Sequence, residues 1–362
     1  MKVVISHIAA YLWLMRHANP CHAGERISRA SLVGASAPDA ARTRKLQWYL
    51  DLEDVPLDVL VTDSRQRRRN RYLHSHLCKG PLPSGSLIPI ARDIEHFDVY
   101  CVCPELCFVQ LCRNRDPVES VFFGMALCSD YRLDPVAPSG VVHREHNDSR
   151  LTNVDKLALY IRSASQEHGT KAATSILPLL HEGSRSPRES AVAMFYGLPQ
   201  RLGGMALGKV ALNPSVKVYE GRDRYGNEHI ATRYPDVVFS TPAPDGTRRS
   251  VAFDYDSSAE HSETWKVVAD SRRRNTIAAI ENLVHYAIRL EDAQDYTYMV
   301  SLGDQARKVL GRRPWPQVPG FPHHADARAK AAELERKRFM LWARLLQSGG
   351  PDRMLTAPAN KQ

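Results

Sequence analysis

The sequence predicts an α/β protein of two domains, and three observations support this. The chain has 362 residues, which is the usual length of two domains. Segments whose apolar residues recur with the helical period of 3.6 alternate along the chain with segments whose apolar residues recur with the strand period of two. In the second half these patterns follow one another as helix, three strands, helix and strand. We therefore expect an α+β N-terminal domain followed by an α-β-β-β-α-β core.

The predicted domain boundaries lie where the composition changes. Residues 1–150 are predicted to form the mixed α+β domain, and the polar run His143–Ser149 ends it. Two amphipathic helices in 151–183 would connect the domains. The α-β-β-β-α-β core is placed at 184–313, and 314–362 are predicted to hold a Pro-rich spacer and a C-terminal helix.

Capping and periodicity predict the individual elements. Val3–Met15 is predicted to be a buried first helix capped at Ser6, and Ser186 with Glu189 forms a capping box at the start of the core. Further helices are expected at 37–50, 104–112, 117–127, 153–164, 171–180, 267–283 and 326–347, and one that ends at Gly311. Strands are expected at 59–62, 87–90, 98–102, 210–219, 230–240, 249–256 and 284–290.

Carboxylates occur where the strands of the core are otherwise apolar. Asp236 precedes an apolar run, and Asp254 and Asp256 share one face of the next strand because strand side chains alternate. Neighbouring like charges need a proton, a basic partner or a metal ion to compensate them. Oxygen donors favour Mg²⁺ or Mn²⁺, so the pattern suggests a divalent metal site, and a purely structural role for each carboxylate stays open.

The charge distribution suggests a polyanionic partner. The formal net charge is +9, and arginines are concentrated at residues 65–71, which include Arg67, Arg68 and Arg69, and at Arg272, Arg273 and Arg274. Arginine clusters suit phosphate contact, although a solvated face would show the same composition. Nucleic acid, with DNA preferred, is therefore the predicted partner. The sequence shows neither a membrane span nor a secretory signal, so a cytoplasmic protein without membrane association is expected.

All seven cysteines lie before residue 130. An odd number without a secretory signal argues against a disulfide framework. The spacing of Cys101, Cys103, Cys107 and Cys112 lacks the paired pattern of structural zinc sites. Buried free thiols explain these cysteines, and zinc is the alternative.

The order of helix Glu, Pro-Asp and acid-x-acid strand resembles the PD-(D/E)XK nuclease superfamily, and within it the group related to very-short-patch mismatch-repair enzymes. The resemblance covers about residues 186–313, and the region before residue 150 loosely resembles bacterial proteins related to abortive-infection antitoxins. The residues that carry it are Glu189, Pro235-Asp236, Asp254-Tyr255-Asp256-Ser257, His261, Asp270, Arg273 and Asn275.

The resemblance implies metal-assisted hydrolysis of phosphodiester bonds. Asp236, Asp254 and Glu189 would bind Mg²⁺ or Mn²⁺, Asp256 would be a further ligand, and His261 would act as general base or contact the phosphate. Arg272, Arg273 and Arg274 would bind the phosphate backbone. The chain departs from the family pattern in having Asp254 instead of Glu, and Asp256 at the position of the motif lysine, with Lys217 and Lys266 as the nearest substitutes.

Two functions follow from this pattern. The first is a metal-dependent endonuclease that acts on DNA in defence or repair. The second is a non-catalytic nucleic-acid-binding regulator of antitoxin or defence type, with a degenerate nuclease fold.

Overall fold

The computed structural model describes residues 2–17, 32–94, 96–144, 150–164, 167–222, 224–243, 246–256, 283–313 and 318–347. The predicted α/β class is confirmed, because the described residues form helices and several mixed sheets. The chain divides into two compact units: the first ends at Glu182 and the second begins at Gly183. In the described part of the chain, none of the helices has the length and hydropathy needed to cross a bilayer.

The first unit is built on a five-stranded sheet in the order β3-β2-β1-β5-β4. Its strands are β1 (Lys2–Ile5), β2 (Leu57–Val61), β3 (Leu73–Leu77), β4 (Leu87–Ile94) and β5 (Phe97–Val102). β1 is the central strand and pairs parallel with β5. The predicted helix over Val3–Met15 is therefore wrong in its first turn, because residues 2–5 are strand and the helix begins at His7. Strand and buried helix are equally apolar here, so periodicity does not separate them.

In the part of the first unit that the structure describes, six α-helices and a short hairpin accompany this sheet. The helices are α1 (His7–Arg16), α2 (Ala40–Tyr49), α3 (Pro104–Cys112), α4 (Pro117–Leu127), α5 (Val154–Ser163) and α6 (Thr170–Ile176), and the hairpin is β6 (Tyr131–Leu133) with β7 (Val141–His143). α5 and α6 pack against α3. The segment predicted as a helical connector, 151–183, therefore lies within the first unit up to Glu182, because its apolar face is buried there.

The second unit contains a four-stranded sheet in the order β13-β12-β11-β8. Its strands are β8 (Lys209–Leu212), β11 (Val237–Pro242), β12 (Arg248–Asp256) and β13 (Leu283–Arg289). β11 pairs antiparallel with both β8 and β12, whereas β12 and β13 are parallel. Parallel strands need a crossover of a dozen residues or more. The predicted helix 267–283 belongs to that connection and, up to residue 282, lies outside the described residues.

A separate hairpin is inserted in the chain between β8 and β11, which pair directly with each other in the sheet. It consists of β9 (Val216–Arg222) and β10 (Glu228–Arg233), which pair only with each other. The single strand predicted over 230–240 is therefore two strands, β10 and β11, in different sheets. Pro235, which has no N–H group for a ladder, lies in the break, and Asp236 follows it.

The remaining helices also belong to the second unit. They are α7 (Pro187–Gly197), α8 (Leu290–Gln294), α9 (Tyr296–Val309) and α10 (Ala325–Leu345). The C-terminal helix α10 packs on α7, and its Trp342 donates Nε1–H to the carbonyl of Ala293 at 2.9 Å. The part of 314–362 that the structure describes is thus included in the core of this unit.

The six cysteines in the described residues are free and buried. Cys103 caps α3, since its Sγ accepts the N–H of Leu106 at 3.5 Å. Burial raises the pKa of Cys112 to about 12. Burial also raises the pKa of Cys78, Cys107 and Cys128, so these four thiols are protonated at neutral pH and pack as small apolar groups.

Candidate active site

Asp236 and Asp254 lie side by side at the border between β11 and β12. Val237 pairs with Phe253, so Asp236 lies opposite Asp254 in the register of the two strands. The backbone N–H of Asp236 donates to Oδ1 of Asp254 at 2.9 Å, and the N–H of Tyr255 donates to Oδ2 of Asp236 at 2.8 Å. Each carboxylate is therefore held by the backbone of the other strand. These bonds also offset part of the repulsion between the two negative charges.

Side chains of β12 alternate between the two faces of the sheet, so Asp254 lies on the face opposite the aromatic core, as the sequence predicted. Phe253 is fully buried and stacks on Tyr196 of α7, with ring centroids 4.3 Å apart. Asp254 points to the opposite face, where Ala252, Leu283 and the partly buried Val238 form a small apolar cluster. Asp254 therefore lies on the sheet face that α7 does not cover.

His285 on β13 lies next to Asp254, and the sequence did not indicate it. Its Nε2 is 3.1 Å from Oδ2 of Asp254, and its side chain is 6 % exposed. The parallel register pairs His285 with Ala252, two residues before Asp254 on the same face. The alternation of polar and apolar residues along β13 was visible in the sequence. The register that brings this histidine to the carboxylate was not.

Asn213 connects the acid pair to the start of α7. It follows β8 with a positive φ of 46°, and its N–H donates to the carbonyl of Asp236 at 2.9 Å. Its Nδ2 donates to Oε2 of Glu189 at 2.7 Å and to the carbonyl of Gly183 at 3.0 Å. Asparagine tolerates a positive φ better than most residues, which is the one sequence signal at this position.

Glu189 is buried and its oxygens are occupied by hydrogen bonds. Oε2 accepts the backbone N–H of Arg185 at 2.8 Å as well as Nδ2 of Asn213, and Oε1 accepts the hydroxyl of Ser186 at 3.1 Å. The Ser186 cap of the predicted capping box is confirmed, because Ser186 Oγ accepts the N–H of Glu189, but the carboxylate of Glu189 returns to the N–H of Arg185, one residue before the cap. Burial raises the pKa of Glu189, and these hydrogen bonds oppose that rise. The geometry favours the capping interpretation of Glu189 over metal ligation.

We predict that Glu189→Ala lowers the free energy of unfolding of the second unit by about 2–4 kcal/mol, because it leaves buried donors unpaired. Glu189→Gln retains an acceptor for these donors and is expected to cost less than about 1 kcal/mol. Urea unfolding followed by circular dichroism measures both values. Equal losses for the two variants would show that the charge, and not the cap, is what the fold requires.

Two arginines at the start of α7 contact tyrosines that are close to the acids in sequence. Arg188 of α7 donates from Nη1 to the hydroxyl of Tyr255 at 3.1 Å. Arg185 lies over the ring of Tyr234 with its guanidinium carbon 5.1 Å from the ring centroid. Burial raises the pKa of Tyr255, so this hydroxyl stays protonated at neutral pH. Each arginine is thus held by a tyrosine that neighbours an acid along the chain, and guanidinium groups of this kind can bind phosphate.

The structure does not place every predicted site residue. His261, Arg272, Arg273 and Arg274 lie outside the described residues, and so does Lys266; Asp256 is described only as the last residue of β12, opposite Arg289. Lys217 is exposed on the hairpin strand β9, opposite Thr232. Arg233, three residues before Asp236, pairs with Glu220 of β9.

The fit to a divalent metal ion is partial. Asp236 and Asp254 supply the hard oxygen donors that Mg²⁺ prefers. Within the described ranges, however, no group of three or more His, Cys, Asp or Glu side chains is arranged to hold a metal ion. Glu189 would have to leave its cap to become the third ligand.

Comparison with protein families, curated proteins and solved structures finds no match to this chain. The site is therefore interpreted from its own geometry and from the sequence pattern.

Proposed function

We propose that the second unit is an endonuclease-like domain that hydrolyses phosphodiester bonds in DNA with Mg²⁺ or Mn²⁺. The observation that carries the proposal is the pair Asp236 and Asp254, held together at the border of β11 and β12 by reciprocal hydrogen bonds. A fold rarely places two carboxylates together unless a cation or proton is shared between them.

The order of elements supports this proposal. α7 is followed by three antiparallel strands, β8, β11 and β12, and then by β13, which is parallel to β12. This order is compatible with the α-β-β-β-α-β core of the PD-(D/E)XK superfamily, with the hairpin β9–β10 as an insertion; the second helix of that core would fall in residues 257–282, which lie outside the described residues. The acids lie before the second strand and near the end of the third strand of that core, as the resemblance implies.

Each residue of the site has a separate task in this proposal. A metal ion bound by Asp236 and Asp254 would neutralise phosphate charge and activate water. His285, with Nε2 3.1 Å from Oδ2 of Asp254, faces this carboxylate from the neighbouring strand. Arg188 and Arg185, at the start of α7, attract the phosphate backbone. His261 remains the proposed general base.

A plasmid assay tests the proposal. We expect purified protein to nick or cut supercoiled DNA with Mg²⁺ or Mn²⁺ and to stop when EDTA is added. Asp236→Asn keeps the shape of the side chain but removes its charge, so cleavage should fall about a hundredfold or more. Glu333→Gln removes an exposed carboxylate on α10 and should cleave normally. Cleavage by Asp236→Asn at the wild-type rate would exclude this site.

A non-catalytic nucleic-acid-binding role is the second candidate. It is favoured by the occupied oxygens of Glu189 and by aspartate, not lysine, at residue 256. It predicts salt-dependent DNA binding that is unchanged by EDTA, and no cleavage with either metal. A gel-shift titration at two salt concentrations, with and without EDTA, distinguishes it from the nuclease.

A further inference from the structure

The first unit carries a surface in which arginines and exposed aromatic rings alternate. We name it the α2 surface and define it by Arg44, Lys45, Trp48 and Tyr49 of α2 together with the arginine loop, residues 65–72. Trp48 is 74 % exposed and Tyr49 is 50 % exposed. Large aromatic side chains this exposed on a helix usually mark a binding surface.

The arginine loop is fixed to the edge of the five-stranded sheet. The N–H of Asn70 donates to the carbonyl of Leu73 at 2.9 Å, and the N–H of Ser75 donates to the carbonyl of Arg68 at 2.9 Å. Oδ1 of Asn70 accepts the N–H groups of Tyr72 and Leu73, both at 2.9 Å. The backbone is thereby ordered, while the side chains of Arg67, Arg68 and Arg69 are exposed. An ordered row of cations loses less entropy on binding than a flexible one.

Tyr72 joins the loop to α2. Its ring lies between two guanidinium groups: Arg71 at 4.5 Å and Arg44 at 5.7 Å from the ring centroid. Trp48 follows Arg44 by four residues and therefore lies one turn further on the same face of α2. The hydrogen bond from the backbone N–H of Arg42 lowers the pKa of Asp39, the residue that caps α2, and the charges of Arg42 and Arg68 lower it further, which places the loop near the start of the helix.

The charges on the α2 surface are strongly unbalanced. Residues 65–72 contain five arginines and no acid. On α2, Arg42 is paired with Asp39 at 3.2 Å, whereas Arg44 faces Tyr72. A polyanion complements this charge, and the exposed indole and phenol rings provide faces on which bases stack.

We propose that the α2 surface binds single-stranded nucleic acid, with phosphates on the arginine loop and an unpaired base on Trp48. A base within a duplex is already stacked and offers no face to this ring, so the aromatic residues favour single strands. This site belongs to the first unit and does not depend on the nuclease proposed for the second.

Fluorescence anisotropy with a labelled oligothymidine of about 20 nucleotides, in EDTA, tests the proposal. Wild-type protein should bind about ten- to a hundredfold more weakly at 200 mM than at 50 mM salt. Trp48→Ala should weaken binding about tenfold at either salt concentration, since it removes stacking but no charge. Replacing Arg67, Arg68 and Arg69 together by Gln should lower the slope of log affinity against log salt by about two.

Matched controls come from the same unit. Leu159→Ala removes another exposed apolar side chain of a helix, 63 % exposed, and should bind normally. Replacing the exposed Arg113, Arg162 and Lys171 by Gln removes three charges elsewhere in the unit and should leave the affinity within about threefold of wild type.

Three results would overturn the proposal: no binding at 50 mM salt, binding unchanged by both Trp48→Ala and the triple variant, or equal binding of a duplex of the same length. Asp254→Asn should bind the oligonucleotide as the wild type does. A result that contradicts the nuclease proposal can therefore be distinguished from one that contradicts the binding proposal for the α2 surface.

Discussion

Replacing Phe253 by alanine is expected to lower the free energy of unfolding of the second unit by about 3–5 kcal/mol. The ring is fully buried, stacks on Tyr196 at 4.3 Å and on Tyr286 at 5.6 Å, and meets the edge of Phe239 at 5.9 Å. Truncation removes these contacts and leaves a cavity between α7 and the sheet. Chemical unfolding, monitored by circular dichroism, measures the loss.

Two further variants make this result specific. Phe253→Leu keeps most of the apolar volume and should cost about 1–2 kcal/mol. Tyr225→Ala removes a ring that is 73 % exposed at the tip of the hairpin and should stay within about 0.5 kcal/mol of wild type. If Phe253→Ala lowered the free energy of unfolding by less than about 1 kcal/mol, the two faces of β12 would be exchanged, with Asp254 directed toward α7.

The stability of the first unit should fall as the pH falls from about 6.5 toward 4. His7 is buried, and burial together with the neighbouring His76 lowers its pKa to about 3, although the charge of Asp58 opposes this. The unfolded chain, with a histidine pKa near 6.5, therefore binds more protons in this range, so stability rises with pH. His7 alone would account for about 2 kcal/mol between pH 6.5 and 4.5.

The surroundings of His7 explain why the folded protein keeps this ring neutral. Its ring stacks on His76 at 3.7 Å, and His76 Nε2 is 2.7 Å from Oδ1 of Asp58. Burial opposes ionisation of Asp58, but hydrogen bonds from His74 and His76 outweigh it and hold the pKa of this carboxyl below its usual range. Protonation of Asp58 therefore lowers the stability of the first unit only at a more acidic pH than the range in which His7 lowers it. His181, with its pKa lowered by burial to about 4, adds to the effect of His7 with the same sign.

Thermal unfolding at several pH values between 7.5 and 4.5 measures this dependence. His7→Asn removes the titrating group at a position where φ is +50°, a conformation that asparagine tolerates. This variant should show a clearly shallower slope than the wild type. His143→Asn replaces an exposed histidine of the same unit and should keep the wild-type slope. An unchanged slope in His7→Asn would show that His7 is not buried neutral.

Local rules accounted for much of the second unit. The cap at Ser186 was predicted and is present, and the Glu189 carboxylate returns to the start of α7 at Arg185, because these contacts depend on residues three or four positions apart. The division of β12 into an aromatic face and an acidic face was predicted for Phe253 and Asp254, because the strand period is two. The boundary errors occurred where no local rule applied: β1 is as apolar as the helix after it, and Pro235 divides one apolar run between two sheets.

By itself, the sequence determined the α/β class, the capping of α7 and the acidic face of β12, since each follows from neighbours along the chain. Only the tertiary structure decided that Asn213 and His285 meet the acid pair and that Glu189 is occupied by three donors. It also decided that Tyr72 lies between Arg44 and Arg71. The physical reason is register: which residues face one another across strands and helices depends on how the whole core packs, and a shift of one residue would reverse every face.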